Sequence, residues 1–369
     1  MEVTATHASN PIQGQYIVRL KPGASASGTA LPLGVHPLQT YKHVFDGFAA
    51  RLTPAQLNRL RFQPSVAAIE QDALAYAFDS PPRPAGPVTR VPPAGPTTSW
   101  GLDRIDQRRL PLNGQFNPRH TGAGVTAYMI DSGIDPTNTE FSGRLLRGYT
   151  TIDDGYGTSD CLGHGTMTAG IVGGTTWGVV HAVKLVPVRV LGCDGSGAFS
   201  GIIAGFDWVA ANAVKPAVAN ASLGGSKSDA ANAAATALAD SGVFVSVAAG
   251  NSSADACDVS PASAPRVLTL GASDITDAFA SFSNTGPCVD MIAPGVNITS
   301  ARLGGGSTSG SGTSFAAPYA TGVGALFKSA YGDYATATVL TWLVSATTPN
   351  VLKGVPSGTN NRLLYSAGL

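Results

Sequence analysis

The chain has 369 residues, of which 43% are hydrophobic and only 12% charged, with 45 glycines and a formal net charge of zero. That length supports a large core plus a small second domain. The charge balance argues against a nucleic-acid footprint or a polybasic membrane face. No apolar run reaches the length of a membrane-spanning helix, and Met1 to Gln15 lack the apolar stretch of a signal peptide, so export would need a signal already removed or a route not legible here.

In chain order, residues 10–78 read as a small α+β unit. Gln15 to Leu20 alternates like a strand, and Val44 to Leu52 reads as another. Thr53-Pro54 opens a helix through Arg61 with a cap and a proline at its first position, and Val66–Glu70 and Ala73–Phe78 close the unit as two short strands. Residues 79–99, rich in proline and poor in apolar side chains, form a linker. From 100 to 369, apolar strands at Val125–Ile130, Val183–Val190, Ala217–Ala221, Val243–Ala248 and Val267–Gly271 alternate with helices near His164–Val172, Gly201–Ala213, Ala230–Ala239 and Ser314–Ala330. Such alternation predicts an α/β domain: a mostly parallel sheet with helices on both faces. Pro318 is expected in the first turn of the last helix, where its missing N–H costs nothing.

The chemistry concentrates at a few strand ends and helix starts. Ser314, in Gly312-Thr313-Ser314-Phe315-Ala316-Ala317-Pro318, lies at a helix entry whose free backbone N–H groups suit a developing oxyanion. A serine hydroxyl needs a base, and His164, between Gly163 and Gly165, offers an uncrowded imidazole. Asp131 ends an apolar strand, where open α/β sheets place their sites, and can orient that imidazole. Asp before His before Ser is one of three unrelated chain orders that build this constellation. Asn251, ending the strand Val243 to Ala248 through Ala249-Gly250, can donate its side-chain amide to an oxyanion. Ser222-Leu223-Gly224-Gly225 and Ala248-Ala249-Gly250 have small or absent side chains and suggest a roomy apolar slot without a charge at its base. Singly, each motif is more often a turn, a loop residue or a cap; jointly and in order they favour catalysis.

The blocks Asp131-Ser132-Gly133, Gly163-His164-Gly165-Thr166 and Gly312 to Pro318 resemble the signature segments of subtilisin-like serine proteases. Trp100 to Arg108, Ser222 to Gly225 and Ser281-Phe282-Ser283-Asn284 resemble the proteinase K branch, in particular its aqualysin-like members. This resemblance implies a broad-specificity endopeptidase that binds polypeptide substrates as an added strand and accepts apolar or aromatic P1 residues. It implies that Asn251 and the Ser314 backbone N–H form the oxyanion hole. It also makes residues 10–78 an inhibitor-type, ferredoxin-like propeptide that assists folding and occupies the cleft as an intramolecular inhibitor. The maturation cut is then expected near Phe78–Asp79, where an apolar strand ends in an aromatic residue.

Four cysteines allow three pairings, and neither zinc spacing nor a Cys-x-x-Cys occurs. The resemblance selects Cys161 with Cys193 and Cys257 with Cys288, hence an oxidising, extracellular setting. It further implies structural Ca²⁺, held by Pro265, Val267 and Asp290, with a second site suggested by Asp103, Asp106, Gln107 and Asn113; oxygen donors on loops suit this ion. A monomer is expected. An α/β-hydrolase esterase is disfavoured because Gly-x-Ser-x-Gly and the order Ser, Asp, His are missing. A pseudoprotease is disfavoured by the complete set Asp131, His164, Asn251 and Ser314.

Overall fold

The computed structural model describes residues 3–4, 10–78 and 99–369. Apart from Ser99, the Pro-rich linker expected over 79–99 lies outside the described residues.

A nine-stranded sheet forms the frame of the larger unit, in the order Thr348–Pro349, Arg362–Leu363, Met291–Pro294, Leu268–Ser273, Phe244–Ala248, Ala217–Ala221, Thr126–Asp131, Lys184–Arg189 and Tyr149–Thr150. Its pairs are parallel except the terminal hairpin of Thr348 against Leu363. Parallel strands buried on both faces need apolar side chains in both directions, and Thr126–Asp131 supplies them. Ala127 and Met129 enter a core with the helices His164–Gly173 and Thr313–Tyr331, whereas Tyr128 and Ile130 enter another with Phe199–Asn212 and Asp229–Asp240. The functional segments follow the carboxyl ends of these strands or open the helices beside them.

Ahead of this unit, Gln39–Tyr41, Gly47–Arg51, Pro11–Leu20 and Val66–Ala77 lie side by side in that order, with the helix Pro54–Arg61 between the last two in sequence. Strand order and connectivity are ferredoxin-like. Thr53 and Gln56 close a reciprocal capping box with Pro54 at the start of the helix, an arrangement worth about 1 kcal/mol. Val18, Leu20, Phe48, Leu60, Val66 and Ile69 form this unit's own core.

Three expectations change. The closing strands over Val66–Glu70 and Ala73–Phe78 are one strand, Val66–Ala77: Gln71 pairs with Tyr16 and Ala73 with Pro11 across a register shift, and the Asp72 carboxylate between them finds donors in Gln15 and Ser200. The strand expected from Val44 begins at Gly47, since the amides of Lys42, His43 and Val44 all turn to Asp207 Oδ1 at 2.9, 2.6 and 2.9 Å. Pro318 is not in the first turn: the helix starts at Thr313 and the proline sits inside it, where its missing N–H leaves the Ser314 carbonyl without an i+4 donor.

Candidate active site

Asp131 ends its strand fully buried, with Oδ1 accepting from the Ser132 amide at 2.7 Å and Oδ2 from Thr168 Oγ1 at 3.3 Å. His164 Nδ1 lies 2.7 Å from Asp131 Oδ1, so the carboxylate selects the tautomer with hydrogen on Nδ1 and leaves Nε2 as the basic atom. The imidazole is less open than its flanking glycines suggest. It is the first residue of a buried helix, 4% exposed, with the Phe315 ring at 5.7 Å between centroids.

A buried carboxylate not singled out from sequence knits these two segments together. Asp160 Oδ1 accepts from Ser132 Oγ, Leu162 N and Gly163 N at 2.9, 2.9 and 2.8 Å, and Oδ2 from Thr166 N and Oγ1 at 2.8 and 2.6 Å. Ser132 Oγ in turn accepts from Gly165 N at 2.9 Å. Asp160 lies four positions before His164, and that spacing was its only sequence signal.

Ser314 is the second residue of the helix Thr313–Tyr331, buried, with Oγ donating to the Ser222 carbonyl at 3.1 Å. Asn251 is oriented from behind: its Oδ1 accepts from Thr313 N and Oγ1 at 2.9 and 2.8 Å. Both amide hydrogens therefore face forward, and Nδ2 donates to the Phe78 carbonyl at 2.6 Å. Thr313 was not anticipated, although it is adjacent to the nucleophile candidate.

Phe78 arrives at this point on the strand Val66–Ala77, whose end is paired antiparallel on both sides. Leu74, Ala75 and Tyr76 face Ala198, Gly197 and Ser196, and Tyr76 and Ala77 face Gly224 and Leu223. The Phe78 ring lies against Gly224 and, together with Gly224, Gly225, Gly250 and Asn284, lines a cavity of about 320 Å³. A Cβ on Gly224 would lie 2.6 Å from Phe78 Cζ and 2.6 Å from the Ser260 carbonyl. Gly250 has φ +105° and sits against Asn284, so a side chain there would be both strained and blocked. Of the other residues expected to line the slot, Ala248 and Ala249 lie in the cores behind it, Leu223 pairs with the tail, and Ser222 is buried against Ser314.

The same tail docks through two more buried carboxylates. Glu70 accepts from Ser228 Oγ and from Ala230 N at the start of the helix Asp229–Asp240, and Asp72 accepts from Ser200 N, 3.1 Å away, at the start of Phe199–Asn212. Burial raises both carboxyls above their ordinary pKa, against the lowering effect of these hydrogen bonds.

Sequence comparison matches residues 122–365 to the subtilase family and residues 34–77 to peptidase inhibitor I9. The chain belongs to the subtilase family of serine proteases. It is 45% identical over 332 residues to the extracellular serine proteinase of Thermus sp. strain Rt41A, covering 89% of this chain and 77% of that one. Identity is again 45% over 336 residues to alkaline serine exoprotease A of Vibrio alginolyticus; this alignment covers 90% of this chain but spans only 61% of the Vibrio protein. A solved cold-adapted subtilisin-like serine proteinase is similar with 47% identity and a TM-score of 0.72, covering 74% of this chain and 99% of that one. These relatives are of the proteinase K and aqualysin type, and among the described residues no helix of this subtilase is long and apolar enough to cross a membrane.

The subtilase's cysteines pair as Cys161–Cys193 and Cys257–Cys288, with Cα separations of 5.1 and 5.3 Å. Beside the first bridge, Arg189 forks onto Asp154 at 2.6 Å for each nitrogen, which lowers the Asp154 carboxyl to about 2.

Asp290 is largely buried, and Oδ2 accepts from Thr269 N at 2.8 Å. Burial pushes its carboxyl up to about 6, outweighing the Thr269 amide and Arg362, so a cation beside it would relieve a real desolvation cost. Pro265 spends one lone pair of its carbonyl on Thr236 Oγ1 at 2.8 Å and has another to give. At the second set, Asp103 accepts the loop amides of Asn113 and Gly114 at 3.3 and 2.6 Å, Asn113 Oδ1 accepts Gln115 N at 2.9 Å, and Gln107 donates to the carbonyls of Arg109 and Pro111. Asp106 Oδ1 is buried there without a hydrogen-bond partner, and burial, with Asp103 nearby, raises that carboxyl to about 6. The carboxylate and carbonyl oxygens of both sets are hard donors of the kind Ca²⁺ takes.

Proposed function

We propose that this subtilase is the zymogen of a secreted, broad-specificity serine endopeptidase that cuts itself after Phe78 and thereafter prefers apolar or aromatic P1 residues. His164 Nε2 takes the hydroxyl proton of Ser314 as Oγ attacks the P1 carbonyl carbon, with Asp131 holding the imidazole in place. Asn251 Nδ2 and the Ser314 backbone N–H hold the negative charge that develops on the carbonyl oxygen. His164 then returns the proton to the departing amine. Water, deprotonated by the same imidazole, releases the acyl group and frees the hydroxyl.

The observation that carries this reading is the position of the Phe78 carbonyl, 2.6 Å from Asn251 Nδ2 at the end of a strand paired on both sides. A polypeptide substrate would bind as this tail does, by main-chain hydrogen bonds with its P1 side chain against Gly224 where the Phe78 ring now lies. After the cut those strand bonds persist, so residues 1–78 remain as a slow-release intramolecular inhibitor. Pro265, Val267 and Asp290 would hold one structural Ca²⁺, and Asp103, Asp106, Gln107 and Asn113 a second; the ion would neutralise buried carboxylates and brace the loops. We expect the enzyme to act as a monomer, and the two disulfides fit an extracellular setting.

N-terminal sequencing of the mature enzyme, run beside Ser314→Ala, tests the proposal. A mature start between residues 77 and 82, with Ser314→Ala folded but uncleaved, is the expected result. A start at or beyond Trp100, or self-processing by purified Ser314→Ala, would overturn it.

A further inference from the structure

Ser222 and Ser314 hold each other by two reciprocal hydrogen bonds that cleft lining does not explain. Ser314 Oγ donates to the Ser222 carbonyl at 3.1 Å, and Ser222 Oγ donates to the Ser314 carbonyl at 2.7 Å. The second bond answers a deficit created by the sequence. In an uninterrupted helix the N–H of residue 318 would donate to the Ser314 carbonyl, but that residue is proline and has none. Ser222 and Ser314 are both fully buried, so bulk water cannot fill the gap, and a buried carbonyl without a donor is costly.

The donor is itself held in place. Asn220 Nδ2 donates to Ser222 Oγ at 3.0 Å, and Asn220 Oδ1 accepts from Thr321 Oγ1 at 3.2 Å, a residue of the same helix just beyond the proline. The network thus leaves the helix at Ser314, crosses Ser222 and Asn220, and returns at Thr321. Ser222 directly precedes Leu223–Ser226, the strand with which Tyr76 and Ala77 of the tail are paired.

Resting on the proteolytic reading above, we infer that the Ser222 hydroxyl is a positioning residue for the nucleophile. By replacing the N–H that Pro318 lacks, it sets the depth of Ser314 relative to the substrate-binding strand. The proline leaves the nucleophile's carbonyl open to a donor from the substrate side of the fold, so nucleophile and substrate are held in register by one bond.

The test is a cycle of Ser222→Ala, Pro318→Ala and the double substitution, made in the full chain and followed as kcat and KM on a short chromogenic peptide ending in Phe after self-processing. Ser222→Ala should lower kcat roughly tenfold or more with KM within about twofold, because small misplacements of a reacting group are expensive. In that background Pro318→Ala supplies the missing N–H and should recover kcat to within about threefold of the parent. If Ser222→Ala blocks processing, recovery of processing by Pro318→Ala is the same result read intramolecularly. A Ser222→Ala kcat within twofold of the parent would overturn the inference, as would a folded Ser222→Ala whose defect Pro318→Ala leaves unchanged. So would melting data showing both variants misfolded, since the hydroxyl would then be structural alone. An inactive parent enzyme would instead overturn the proteolytic reading itself.

Discussion

Asn251→Ala removes one donor and little else that touches substrate. The Asn251 amide makes three hydrogen bonds, two received by Oδ1 from Thr313 and one given by Nδ2 to the Phe78 carbonyl. The two received bonds fix the orientation; the one given is the chemical one. A preorganised oxyanion donor is worth about 2.7–4 kcal/mol of transition-state stabilisation, so kcat should fall roughly a hundred- to a thousandfold while KM changes little, since the ground-state carbonyl carries far less charge. Thr313 N and Oγ1 would lose their acceptor, and a stability loss of about 1–3 kcal/mol should accompany the change. Asn251→Asp separates the two jobs: it keeps an acceptor for Thr313 but places a second anion against the developing one, so it should be at least as inactive as Asn251→Ala while melting closer to the parent. The assay is steady-state kinetics on a soluble peptide together with thermal unfolding. A rise in KM with kcat unchanged would refute the reasoning, because Asn251 would then serve uniform binding.

Gly224→Val should abolish cleavage after Phe while leaving measurable cleavage after Ala, since a Cβ at 224 already meets the space held by the Phe78 ring; unchanged preference across a P1 peptide series would contradict the assigned pocket. Chelation should lower the thermal midpoint, because a ligand bound only by the native state adds RT ln(1 + [L]/Kd) to its stability. Asp290→Asn should remove most of that calcium response, and an equal response in variant and parent would rule the site out.

How much of this was legible in the sequence divides by the range of the interactions. The parallel sheet was legible because each strand is an apolar run between glycine-rich or polar breaks, and the Asp131, His164, Asn251 and Ser314 segments were legible because their chemistry lies in short blocks at strand ends and helix starts. The hairpin partners Thr348–Pro349 and Arg362–Leu363 and the strand Met291–Pro294 were missed, being too short to carry a period. Asp160 was missed because nothing local separates a carboxylate with five donors from a loop aspartate. Pro318 lies past the first turn even from the expected start at Ser314, of which it is the fifth residue against 3.6 per turn, and the donor that compensates for it, 92 residues away at Ser222, leaves no local signal.

The long-range terms also indicate why a pro-segment accompanies this fold. The helix Phe199–Asn212 has no side-chain cap from its own N-cap residue, Ala198; the carboxylate at its first turn is Asp72, from the pro-segment. The helix Asp229–Asp240 has Ser228 as its own cap, and Glu70 bonds both that hydroxyl and the next free amide. In return Asp207, on the first of these helices, collects three pro-segment amides. Helix initiation is the costly step, and a parallel sheet rewards it only after distant strands have met. A small unit with a core of its own can hold two helix N-termini beside one another before that sheet closes. Those contacts belong to the same strand, Val66–Ala77, that leads Phe78 to Asn251. On the proposed reading, docking that assists folding would also deliver the scissile carbonyl, and inhibition would persist for as long as the strand remains paired.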